Sequence, residues 1–73
     1  MNNKTEVDSF TIGGTAAGPS MPGRKIHAML GTRIAIDVHM HVLHVPTPRG
    51  YVTARIGDRI ILYDDGTLEV RLA

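Results

Sequence analysis

The sequence predicts a small, mainly β protein: an antiparallel sheet of four to five strands behind a flexible Gly/Pro-rich N-terminal tail. Three observations carry this. The glycines and prolines of the first third cluster in "TIGGTAAGPSMPG", which sustains neither a period of 2 nor one of 3.6. From Lys25 onward β-branched residues recur between regular turn signals. No stretch has a strong helical period, and no heptads or internal repeats occur. The division follows as residues 1–24 tail and residues 25–73 small β domain.

Within the tail, "VDSFTI" carries Val7, Phe10 and Ile12, including the only phenylalanine of the chain. A disordered end with incidental hydrophobes is one reading. A short segment that orders on a partner, or folds back along a sheet edge, is the other. "KIHAML" before Gly31 reads as a short strand with Ile26, Ala28 and Leu30 on one face, against a helical alternative over two turns of "GRKIHAML".

The segment "TRIAIDVHMHVLHV" alternates. As one half-buried strand over residues 33–45 it turns Ile34, Ile36, Val38, Met40 and Val42 one way, and Ala35, Asp37, His39, His41 and Leu43 the other. "PTPRG" is expected to end it, because proline donates nothing to a ladder.

The last third reads as three strands, "YVTARI", "RIILY" and "TLEVR". Asp64, Asp65 and Gly66 suit a three-residue loop: a type I turn with Gly66 in the left-handed position of a G1 bulge. That register sets Leu62 opposite Leu68 and Ile60 opposite Val70 on one face. Arg59, Ile61 and Tyr63 share the other with Thr67, Glu69 and Arg71. The Gly57-Asp58 loop is open between two readings. A tight hairpin puts Val52, Ala54 and Ile56 on the face of Ile61; a longer loop puts them with Ile60 and Leu62.

"HMHVLH" places three of the four histidines within six positions, and His27 is the fourth. In a strand, His39 and His41 share a face with Asp37 while His44 points oppositely, so the cluster supplies two ligands. A structural zinc wants four and a catalytic one three plus water, and the further glutamate and histidine of a cupin-like site are missing. No metal and no cofactor are expected; a polar strand face, or one that senses protons, is the plainer reading.

No nucleophile-base-acid set stands out, since Ser9 and Ser20 both lie in the tail, and no Gly-Lys-Ser/Thr follows the glycines. No catalytic residue is therefore assigned and an enzyme is not expected. There is no cysteine, hence no disulfide or thiolate site, as suits a reducing cytoplasm. The start "MNNKTEVDSF" is expected to be neither signal peptide nor anchor, and no stretch is long enough to span a membrane. The net charge of +1 argues little for general nucleic-acid binding, which normally uses a concentrated basic face.

The residue patterns offer one candidate surface. Arg49, Arg55 and Arg59 gather with Tyr51 and Tyr63 among Asp58, Asp64, Asp65 and Glu69. Mixed charge suits a protein partner better than a phosphate track. The candidate partner-binding residues are Val7, Phe10, Ile12, Tyr51, Arg55, Arg59, Ile61 and Tyr63. A small β-barrel stacking single-stranded nucleic acid on Tyr51 and Tyr63 is the alternative, and a module binding metal through His39 and His41 a further one.

Taken whole, from "MNNKTEVDSF" through "TIGGTAAGPSMPG" to "GDRIILYDDGTLEVRLA", the chain resembles small bacteriophage transcription regulators that bind the host RNA polymerase. The likeness lies in length, glycine-rich tail, cysteine-free body and β core. It implies binding to the β′ N-terminal region and the β flap, displacement of σ with block of initiation, and antitermination on elongating polymerase. It implies a protein of the host cytoplasm without catalysis, metal or sequence-specific DNA binding. A monomer is expected.

Overall fold

A computed structural model of the chain describes residues 4–13, 23–37, 39 and 42–72. Along them run β1 (Glu6–Thr11), α1 (Arg24–Met29), β2 (Ala35–Asp37), β3 (Val42–Thr47), β4 (Gly50–Ala54), β5 (Arg59–Tyr63) and β6 (Leu68–Arg71). The protein is mainly β, and these strands pair antiparallel throughout. The six strands form two sheets rather than one, ordered β1-β5-β6 and β2-β3-β4.

The β5–β6 hairpin has the register its turn requires. Ile60 faces Val70 and Leu62 faces Leu68. Gly66 sits at φ +85°, and the Tyr63 N–H donates to the Thr67 carbonyl at 3.0 Å. Residues directly opposite in an antiparallel pair share a face, so Ile60, Leu62, Leu68 and Val70 turn inward together.

"VDSFTI" folds back along the sheet edge. β1 pairs with β5, Phe10 opposite Ile60 and Ser9 opposite Ile61, with a bulge at Val7 between Glu6 and Asp8. Phe10 packs against the core and Ile12 is buried within it. The remaining tail residues, 1–3 and 14–22, lie outside the described residues.

Three expectations are corrected. "KIHAML" is helical, not a strand. Its start is capped from another element: the Asp8 carboxylate accepts the Ile26 N–H at 2.9 Å, satisfying a donor that the helix itself leaves orphaned. Gly23 has no room for a side chain, because a Cβ there would lie 1.7 Å from Asp8 Oδ1. The helix ends at Met29, with Leu30 already extended and Gly31 after it at φ +84°. Ile26 is the residue it buries.

Second, residues 33–45 are not one strand. The chain reverses between Asp37 and Val42, and β2 pairs with β3, Ala35 opposite His44 and Ile36 opposite Leu43. The expected strand positions Val38, Met40 and His41 lie outside the described residues. "PTPRG" does not stop a strand either. β3 runs through Pro46 to Thr47, and Pro48-Arg49 forms a two-residue loop into β4. Pro46 lies past the last residue that β2 pairs, where a missing N–H costs little.

Third, β4 and β5 do not pair, so neither register considered at Gly57-Asp58 applies. The loop instead carries the chain from one sheet to the other. Asp58 N–H closes a turn on the Arg55 carbonyl at 2.9 Å, with Gly57 at φ +96°. Gly57 N–H and the Asp58 carbonyl then bond the two main-chain groups of Ile12 at 3.0 Å each.

The inner faces of the two sheets meet on one core. Ile60, Leu62 and Leu68 come from the first sheet, Val45 and Ala54 from the second, and Ile12, Ile26 and Ile34 from the segments around them. Full burial of such a side chain stabilises by about 1.5–3 kcal/mol.

Candidate protein interface

The inner faces are largely taken up by the core, with Ile36 still half exposed, so the outer faces are the main surfaces open to a partner. On the first sheet that face includes Glu6, Ser9, Thr11, Arg59, Ile61, Tyr63, Glu69 and Arg71. Its charges are already matched to one another. Arg59 donates to Glu6 at 3.1 Å and to Ser9 Oγ at 2.9 Å. The Tyr63 hydroxyl donates to Glu69, whose carboxylate also lies 3.7 Å from Arg71. Lys4 donates to Thr67 Oγ1 at 2.9 Å, pairs with Asp65 at 3.5 Å and lies 5.5 Å over the Tyr63 ring.

Two titrating groups register this matching. The hydrogen bond to Glu69, then burial and the Glu69 charge, push the Tyr63 hydroxyl up. The Thr67 hydroxyl and N–H, with Lys4 beside them, hold the Asp65 carboxyl below its ordinary value. Each ion pair is partly exposed and stabilises by at most about 1 kcal/mol. Together they leave this face few groups that a partner could engage without first breaking a bond.

The outer face of the second sheet is different. It presents Ala35 and Asp37 from β2, Val42, His44 and Pro46 from β3, and Tyr51 and Thr53 from β4. It has no lysine, arginine or glutamate, and Asp37 sits only at its margin. Tyr51 lies opposite Pro46 and is 72% exposed. His44 Nδ1 and Thr53 Oγ1 are 3.4 Å apart. Arg49 and Arg55 bracket β4, both exposed. Among the described residues neither guanidinium has an ion-pair partner.

The eight candidate residues are thus divided. Arg59, Ile61 and Tyr63 share the outer face of β5 as the pattern requires. Ile61, however, is no exposed anchor: it is 1% exposed, held between Ser9 and Glu69. Phe10 and Ile12 serve the core, and Val7, 40% exposed, occupies the β1 bulge. Tyr51 stands on the other sheet and Arg55 at the corner after it. Tyr51 and Tyr63 therefore do not form one stacking platform. Pro46 and Thr53 join the surface without having been singled out, and Arg49, grouped in the sequence with Arg55 and Arg59, stands beside them; the Pro-Arg-Gly turn signal points to this surface once it is read as a hairpin loop rather than a strand end.

The histidines do not line one strand. His39 follows β2 with its N–H on Asp37 Oδ1 at 3.1 Å, His44 lies within β3, His27 is exposed on α1, and His41 lies outside the described residues. The face shared by His39 and His41 assumed an unbroken strand and lapses with it. Among the described residues no three histidine or carboxylate groups converge on one point. A groove of about 480 Å³ runs between the β3–β4 hairpin tip and β6, with Pro48, Val52, Leu68 and Val70 along it and Lys4, Arg49 and Glu69 at its rim.

Among the described residues no helix is long and apolar enough to cross a membrane. The chain matches no protein-family model, no curated protein and no solved structure.

Proposed function

We propose that this chain is a non-catalytic binding module of the kind it resembles: a bacteriophage regulator that docks on the host bacterial RNA polymerase. In this reading it engages the β′ N-terminal region and the β flap, displaces σ to block initiation, and acts on elongating polymerase as an antiterminator. It works as a monomer in the host cytoplasm. The observation that supports a protein partner is the outer face of β2-β3-β4, charged only by Asp37 at its margin, with Tyr51 standing out of it and an arginine at each end of β4. An exposed tyrosine opposite a proline and flanked by arginine is the composition that interface hot spots favour.

The test is size-exclusion chromatography of the protein mixed with purified bacterial RNA polymerase, with and without a chelator. Co-elution that survives the chelator, with σ leaving the complex, is the expected result. Separate elution from a cognate host enzyme sinks the proposal. Tight, steeply salt-dependent binding to single-stranded oligonucleotides instead would turn the reading to nucleic acid.

A further inference from the structure

The four strands at the sheet edges are protected to different degrees. A bare edge is a template for another chain, and proteins blunt it with charge, bulges, brevity or cover. β1 has the Val7 bulge, two acids and α1 capped on Asp8. β6 carries Glu69 and Arg71. β2 is three residues long and ends in Asp37. β4 reads Gly50-Tyr51-Val52-Thr53-Ala54, with no charge, no proline and no bulge.

Among the described residues β4 pairs only with β3, and the groups it turns outward follow from the hairpin. A two-residue loop closes on a hydrogen-bonded pair, here Thr47 and Gly50, and such pairs alternate along the ladder. Gly50, Val52 and Ala54 therefore turn their main-chain groups to β3. Tyr51 and Thr53, both exposed, turn theirs outward.

We infer that β4 takes up an extended segment of the protein partner by strand addition, and that this segment carries an acidic residue near each end. The inference rests on the protein-binding reading above. The charge follows from Arg49 and Arg55, which stand about 20 Å apart at the two ends of the edge. A second copy of this chain fits poorly. Antiparallel self-pairing through Tyr51 and Thr53 centres on Val52 and sets Arg49 against Arg55 of the other copy at both ends. An acidic segment meets the same two arginines with opposite charge.

Two probes test this on the full chain: purified bacterial RNA polymerase, and a Val/Thr peptide of about seven residues with glutamate at both ends, against a lysine-ended control. Amide exchange at Tyr51 and Thr53 is expected to slow about tenfold or more with polymerase and with the acid-ended peptide only. Thr53→Pro, which deletes an outward N–H, is expected to weaken polymerase binding about tenfold or more, and Thr53→Val to restore it. Full binding by Thr53→Pro, or slowing confined to other amides, overturns strand addition and leaves the polymerase reading standing. If wild type does not bind polymerase, that reading fails alone, and the peptide decides the edge: unslowed amides overturn it. If Thr53→Pro does not fold, wild-type exchange decides alone, and unslowed Tyr51 and Thr53 amides overturn strand addition.

Discussion

The two outer faces are made of similar short antiparallel strands, yet they treat their polar groups in opposite ways. On β1-β5-β6 the cations find carboxylates of the same face, and the tyrosine hydroxyl finds Glu69. On β2-β3-β4 the surface carries no lysine, arginine or glutamate, and its two flanking arginines form no ion pair among the described residues. Side chains that complete one another hold a small domain together. Side chains left incomplete are available to something else. In a chain of this size both tasks compete for the same few residues, and the two sheets divide them.

That division is breakable. The largest effect is expected on the fastened side. Gly23→Ala forces a methyl into the Asp8 carboxylate and should cost about 2–3 kcal/mol in denaturant unfolding. A wild-type midpoint would mean that Asp8 does not hold the helix start. Tyr51→Ala is expected to do the reverse. Polymerase affinity should fall by about 2 kcal/mol, roughly thirtyfold, while stability moves by less than about 0.5 kcal/mol. Equal affinity would move the interface off the second sheet. Asp8→Ala loses the bond to Ile26 N–H and a second to Ser9 N–H at 2.9 Å, for about 1 kcal/mol, with binding by the folded fraction unchanged. Arg59→Ala should cost under about 1 kcal/mol, because its Glu6 pair is half exposed, and should leave affinity intact. A large affinity loss there would restore the β5 face as the docking surface.

The smallest effect is a pH dependence. Asp65 has its folded pKa lowered by Thr67 and Lys4. The stability this adds is present in full above the unfolded carboxyl value of about 4 and is lost as pH falls through the lower folded value. Acid titration of Asp65→Asn against wild type should show a slightly shallower loss in the variant over that window.

The β5–β6 hairpin is legible in the sequence because its turn residues and its apolar alternation specify one register. The helix is not. Its start depends on Asp8, 18 residues upstream of Ile26, and no window around "KIHAML" contains that carboxylate. The long strand conceals a slip of phase. Ile34 and Ile36 are even positions, whereas Leu43 and Val45 are odd, and a single strand would send the two pairs to opposite faces. The reversal after Asp37 brings Ile36 directly opposite Leu43. Gly57-Asp58 has the composition of a hairpin because the same turn chemistry serves a crossing between sheets, where Ile12 takes the bonds that a partner strand would have taken. Of the candidate site, Tyr51 and Arg55 stay at the surface proposed here. Ile61 drops out of it, because burial under neighbouring side chains leaves no local mark in the sequence.

The pairing of β1 with β5 also sets a schedule. β1 leaves the ribosome before β5, and Arg59, which bonds its Ser9, lies 50 residues further along. The β5–β6 hairpin closes locally and fast, whereas β1 must wait for β5 and then close a loop of 50 residues. Until β5 is made, Val7, Phe10 and Ile12 have no strand to lie against, so β1 is placed no earlier than the strand it joins.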